Sequence, residues 1–351
     1  MAIDEKKLND FMGKAVTDIG AAMSVVLFIV GEKLGLYKAM AGSGPLSPAE
    51  VAQKTGTQER NVKEWLLNQA AGGYVTYDPA TKKFTLPDEQ ALALAQENSG
   101  AYLHGAYEII SSLFKDEPKI ELAFKGEAKL GWEDHDKALF SGTERFFRPS
   151  YASNLVGSWI PALEGVEAKL KSGARVADIG CGHGASTIIM AKAFPSSTFV
   201  GFDNHAPSIE AARKAAEKEG VSGNTSFEVA SSTDYPGNDY DLVAFFDSLH
   251  DMGDPTGAAA HVMKSLKKDG TWMLVEPFAG DNPEENFNPV GRVFYAASTA
   301  ICVPGSLAYA GPALGAQAGE ETLRKVVTAG GFKTLRRATQ TPFNLVLEAK
   351  I

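Results

Sequence analysis

From Lys171 onward the chain alternates short apolar runs with helical stretches. RVADI, STFVGFD, TSFEVA, YDLVAFF, TWMLVEP, FKTLRRA and FNLVLEA read as strands, and helices are expected to begin near Ala185, Pro207, Asp254 and Glu320. This alternation predicts an α/β unit, a parallel sheet with helices on both faces. Ligands of such sheets bind beyond the carboxyl ends of the strands. Function is therefore sought where these strands end.

The first strand runs into VADIGCGHGAST (176–187). Asp178 lies in the strand, Gly180, Gly182 and Gly184 follow in G-x-G-x-G spacing, and a helix begins. Glycines here let the backbone approach a ligand and take angles that other residues avoid, although any tight strand-to-helix turn also uses them. The spacing differs from the G-x-G-x-x-G of dinucleotide folds. The second strand ends in Asp203, placed to hydrogen-bond both hydroxyls of a ribose; the alternative is a helix cap before Pro207.

The N-terminal part differs. Residues 4–40 read as a helix apolar almost all round, which requires cover in a deep core or at a subunit interface. In PLSPAEVAQKTG, Ser47 caps, Pro48 takes the first helical position and Glu50 completes a capping box. Val62, Trp65, Leu66 and Ala70 share one face of a further helix, and YVTYDPATKKFTL reads as a hairpin. Three helices and a hairpin are a winged-helix order. The expected organisation is a winged-helix-like domain over 1–90, a helical linker and pocket region over 91–170, and an α/β domain over 171–351.

Charge narrows the partners. The 43 acidic and 34 basic residues give a net charge of −9, against broad binding to nucleic acid or anionic membrane. Residues 44–90 carry five Lys or Arg and six Asp or Glu, without the basic surplus that DNA binding needs. Two cysteines, Cys181 and Cys302, fit a reducing compartment and give no disulfide framework. AAMSVVLFIV is about half the length of a membrane span, and the first residues do not read as a signal peptide. A cytoplasmic protein with neither membrane nor nucleic-acid partner is expected.

DIGCGHG, GFD and DYDLVAFFDSLHDM, followed by GTWMLVEP, GGF and FNLVLEAK, resemble class I S-adenosylmethionine-dependent methyltransferases over about 171–351. More loosely, residues 1–170 are similar to the winged-helix dimerisation domain of small-molecule O-methyltransferases. The resemblance implies a seven-stranded Rossmann-like sheet with the last strand antiparallel, S-adenosylmethionine as cofactor with S-adenosylhomocysteine as product, and a homodimer. It implies that Gly180, Gly182 and Gly184 line the methionine and ribose side, that Asp203 holds the ribose hydroxyls, and that Asp178 steadies the methionine amino group through its surroundings. Ser231 and Ser232 would lie near the adenine, and Phe246 and Asp247 would border the methionine.

Methyl transfer to a hydroxyl also requires loss of a proton, which suits a histidine with a pKa near ~6.5. His250 matches the base of plant-type O-methyltransferases, and Glu276 stands where the family has an acid that orients it. Met252 replaces the family's usual Trp. Asp251 has three readings: a helix cap (for which Asp254 is better placed), a partner of His250 or substrate, or a metal ligand with His250. Some C-methyltransferases of 2-oxo acids hold iron with His-Asp and a distant second His, but no histidine follows His261, so no metal is expected. Substrate walls are expected from Phe147, Arg148 and Tyr151 in RFFRPSY and from Arg292 and Tyr295 in NPVGRVFYAAST. The expected function is methyl transfer to a small-molecule hydroxyl. The alternatives are a C- or N-methyltransferase on the same fold, and a winged-helix regulator that senses the cofactor.

Overall fold

The computed structural model describes residues 3–351 and divides into two compact units. One unit runs through Ser112 and takes in Ser141–Pro149; the other holds Leu113–Phe140 and Ser150–Ile351.

In the first unit the helix expected over 4–40 is two helices, Glu5–Lys33 and Leu36–Met40. Gly35 separates them in the left-handed region (φ 69°), where a residue with a Cβ is disfavoured. Asp4 caps the long helix by accepting from the Lys6 and Lys7 amides. Within the chain this helix buries only Val25, Phe28 and Gly31. Leu8, Met12, Val16, Ile19, Met23, Val26 and Val30 are exposed and recur every three or four residues, the spacing of a helix-packing seam.

The Ser47 capping box forms as expected and opens helix Pro48–Thr55. Helix Glu59–Ala71 follows, then β1 (Thr76–Asp78) and β2 (Lys83–Thr85), which pair antiparallel. A bridge from Leu46 to Phe84 ties this wing to the helices. Phe28, Tyr37, Met40, Val51, Trp65, Leu66, Val75 and Phe84 form the core.

The second unit is built on β3 (Arg175–Ile179), β4 (Thr198–Asp203), β5 (Thr225–Val229), β6 (Tyr240–Phe246), β7 (Leu266–Pro277), β8 (Thr334–Gln340) and β9 (Asn344–Lys350), in the order β5-β4-β3-β6-β7-β9-β8. The pairs from β5 through β7 are parallel. The last strand, β9, inserts antiparallel between β7 and β8. β7 starts five residues before the expected TWMLVEP, because Leu266 already pairs with Tyr240 ahead of a register shift.

Helices Ala185–Ala193, Ala206–Lys218, Pro255–Ser265 and Gly319–Ala329 begin within a residue of their expected starts. Ala177, Ile179, Phe202, Val243, Phe245, Trp272, Leu274 and Leu347 are buried in the core. β3 lies between β4 and β6, so the chain leaves in opposite directions from a central strand. The carboxyl ends of β3, β4 and β6 share one edge at this switch point, where open α/β sheets bind ligands.

Candidate active site

The glycine loop leaves β3 by a turn that only glycine takes without strain. Gly180 has φ 72°, and a Cβ there would stand 2.9 Å from Ser248 Oγ. Gly182, at φ 52°, has open space where a Cβ would be and donates its amide to Asp203 Oδ2 at 2.9 Å. Gly184 forms the N-cap of helix Ala185–Ala193. Asp203 also accepts from the His205 amide at 2.9 Å. Asp203 thus fixes the start of the next helix, and each oxygen retains a lone pair.

Asp178 is buried beneath the loop. Its Oδ2 accepts from Ser186 Oγ and Thr187 Oγ1, both at 2.6 Å, while its Oδ1 has no partner among the described residues. Burial pushes the carboxyl up to about 6, against the pull of the two hydroxyls. Burial also raises Asp203 despite the two amides it accepts. Ser231 is exposed and closes a local turn with Thr233, and Ser232 is half-buried beside it.

At the end of β6, Phe246 is buried and Asp247 takes φ 52°, a costly backbone for a non-glycine and a frequent mark of functional sites. Asp247 accepts from Tyr151 Oη at 2.8 Å and from Asn344 Nδ2 at 2.9 Å. Burial, with the nearby Glu276 charge, pushes its carboxyl up to about 8.

His250 sits in the 3-10 turn Leu249–Asp251 and is buried. Glu276, near the end of β7, reaches it: Glu276 Oε2 lies 2.6 Å from His250 Nδ1, and Oε1 accepts from the Leu249 amide at 2.8 Å. Because both carboxylate oxygens are used, the imidazole is held with Nδ1 as donor and Nε2 as its other functional edge. Burial opposes a charge on His250, but the Glu276 carboxylate, with Cys302, more than offsets it and holds the imidazole well above its ordinary pKa. Asp254 caps helix Pro255–Ser265 by accepting from the Gly257 amide, so Asp251 is free of that duty and lies beside His250.

Other expected residues fall in different surroundings. In the first unit, Phe147 lies edge-on to Phe146, and Arg148 is paired with Glu144 at 2.9 Å and Glu97 at 3.2 Å. In the second, Tyr151 is buried against Phe246, Tyr295 is half-buried and Arg292 exposed on helix Pro289–Ala297.

Several contributors were not legible in the sequence: Ser186 and Thr187 under Asp178, Asn344 on Asp247, and Cys302 beside His250. Phe140, stacked on His205 at 4.3 Å, is another. Their signal is spatial, since each comes from a segment remote from its partner or has an ordinary residue type.

The sheet order and the glycine loop with its acid at the switch point are features of a nucleotide-cofactor α/β fold. Residues 170–298 match the family model described as Methyltransferase domain, and residues 21–96 match the Rv2258c-like winged HTH domain. The chain thus joins a segment that matches a winged-helix domain to one that matches a methyltransferase domain.

Over 122 residues the chain is 30% identical to the sterol 24-C-methyltransferase erg6 of Aspergillus fumigatus, covering 33% of this chain and 32% of that protein. The chain spans 31 to 47% of the length of three such curated relatives. An O-methyltransferase family protein from Burkholderia thailandensis superposes with a TM-score of 0.69 at 16% identity, over 100% of this chain and 99% of that one. Human N-acetylserotonin methyltransferase, in complex with S-adenosylmethionine, gives 0.63 at 15%, over 100% and 98%. At these identities the likeness is one of fold.

The residues present fit this cofactor. The unpartnered Asp178 oxygen suits an ammonium group, Asp203 suits a ribose diol, and Gly182 leaves space for close approach. The acids Asp178, Asp203, Asp247 and Glu276 suit a sulfonium cation, since opposite charge offsets their burial.

Proposed function

We propose that the chain transfers a methyl group from S-adenosylmethionine to a hydroxyl of a small molecule, with His250 as general base and Glu276 as the residue that positions it. The carrying observation is the 2.6 Å contact between His250 Nδ1 and Glu276, on the strand ends next to the glycine loop. Bound S-adenosylmethionine supplies an activated methyl on a sulfonium leaving group. Gly180, Gly182, Gly184, Asp203 and Asp178 would hold it, with Ser231 and Ser232 toward the adenine and Phe246 and Asp247 toward the methionine.

With Nδ1 committed to Glu276, Nε2 is the atom that takes the acceptor's proton. Glu276 then stabilises the imidazolium, and a positioned base of this kind contributes about 10²–10⁴-fold. The Glu276 carboxylate favours the protonated imidazole, and acting as a base requires loss of that proton. A positive charge placed beside it lowers its pKa and favours that loss. Asp251 is proposed to contact His250 or the acceptor. Tyr151, Arg292 and Tyr295 are proposed as acceptor walls in this unit.

The exposed seam of helix Glu5–Lys33 supports a homodimer, in which a second copy covers Met12, Val16, Ile19 and Met23. This helix is also long and apolar enough to cross a membrane by length and composition. Light scattering in detergent-free buffer separates the two: a defined dimer supports the proposal, and recovery only with detergent contradicts it.

A carbon acceptor is the second reading, favoured by the match to proteins described as sterol 24-C-methyltransferases. Methyl-labelled S-adenosylmethionine offered with a panel of phenols, hydroxy acids, amines and sterols tests both readings. Product O-methyl ethers or esters support the proposal; label confined to carbon or nitrogen overturns it.

A further inference from the structure

Cys302 is remote from the His-Asp pair in sequence but adjacent in space. It ends the π-helical turn Ser298–Cys302 that interrupts the helix running from Pro289 to Ala308. Such turns re-aim side chains and occur often at functional sites. Here the turn brings the buried thiol beside His250. A nitrogen of His250, a carboxylate oxygen of Asp251 and Cys302 Sγ all lie within 4.8 Å of one another.

We propose that His250, Asp251 and Cys302 form a binding site for one divalent cation of the zinc class, and that filling it withdraws His250 from proton transfer. Three observations carry this. The donor set of one imidazole, one thiolate and one carboxylate suits a borderline-soft cation rather than magnesium or calcium, which prefer all-oxygen sites. The imidazole is already held for metal, since Glu276 occupies Nδ1 and leaves Nε2 as the donor; metal-binding histidines almost always give their other ring N–H to a carboxylate, a carbonyl or water. The separation is also right: donors at about 2.0–2.3 Å from zinc stand roughly 3.3–3.8 Å apart at tetrahedral angles. Closure from the observed spacing therefore needs about an ångström of side-chain movement.

The sequence offers no third histidine, and the structure supplies a cysteine instead. Three protein donors leave a fourth tetrahedral position open to water or acceptor. On binding, the thiol proton, and any proton on Nε2, pass to the buffer. Cation and proton compete for the same Nε2 lone pair, so zinc is an inhibitor of the base-assisted transfer. That consequence rests on the proposed role of His250, whereas the binding itself does not.

The test is zinc titration by calorimetry into the chelator-treated full chain, with wild type, Cys302→Ser and Asp251→Asn. Cobalt(II) serves as a spectroscopic probe of thiolate ligation. S-adenosylhomocysteine binding by each variant checks that it folds. The expected result is one ion per chain, a sulfur-to-cobalt charge-transfer band in wild type, loss of the band in Cys302→Ser, and at least about tenfold weaker zinc binding in each variant. Absence of stoichiometric zinc binding overturns the proposal. So does binding of equal strength in a folded Cys302→Ser protein, or a cobalt complex without the thiolate band. Metal-free His250→Ala separates the two readings: full turnover there removes the base role and leaves the cation site standing.

Discussion

At the scale of residues, the site depends on buried carboxylates that a cationic ligand would relieve. Asp203 would accept hydrogen bonds from a ribose diol, and bonds to a charged partner contribute about 1.5–3 kcal/mol. Asp203→Ala is therefore expected to weaken S-adenosylhomocysteine binding by roughly 10- to 100-fold in calorimetry. Asp178 gives a pH dependence. Its carboxyl is pushed up to about 6, and an ammonium favours its ionised form. Cofactor affinity should be level above that pH and fall as pH drops through it, because protonation must then be reversed for binding. A flat titration across the range would remove Asp178 from the site. Asp178, Asp203, His250 and Glu276 were legible because each sits at or near a strand end, and strand ends are what an alternating pattern locates. Cys302 and Asn344 were not, since a π turn and an antiparallel insertion decide where they point.

At the scale of elements, the glycine loop and the first helices are the informative cases. Gly180→Ala places a Cβ 2.9 Å from Ser248 Oγ at a φ of 72°, and left-handed backbone costs a residue with a Cβ roughly 1–2 kcal/mol. The expected outcome is a lower melting temperature together with weakened S-adenosylhomocysteine binding. The capping box was read correctly from Ser47, Pro48 and Glu50 because its contacts lie within four residues. Ser47→Ala should cost about 1 kcal/mol in denaturant unfolding. The hydrogen bonds from the Ser47 backbone and side chain hold Glu50 at about 2, below the usual 4.5. Its contribution is complete above the usual value and is lost as pH falls through about 2. The break at Gly35 was less legible, since apolar residues continue on both sides and only the left-handed backbone marks the end of the first helix.

At the scale of the whole molecule, the strands were readable from chain alternation, their antiparallel last member only from the family resemblance, and the need of helix Glu5–Lys33 for cover from its all-round apolarity. Ile19→Glu with Met23→Glu puts charges into the exposed seam and is expected to convert a dimer to monomers by light scattering; an unchanged dimer would move the interface elsewhere. The central claim is that this methyltransferase domain uses His250 as the base of transfer to a hydroxyl. Its most direct test is turnover of a hydroxyl acceptor from the labelled panel by wild type and by metal-free His250→Ala, with S-adenosylhomocysteine affinity measured on both. The account predicts a fall in turnover of about 10²–10⁴-fold with cofactor affinity retained. Equal turnover in the two proteins would contradict it.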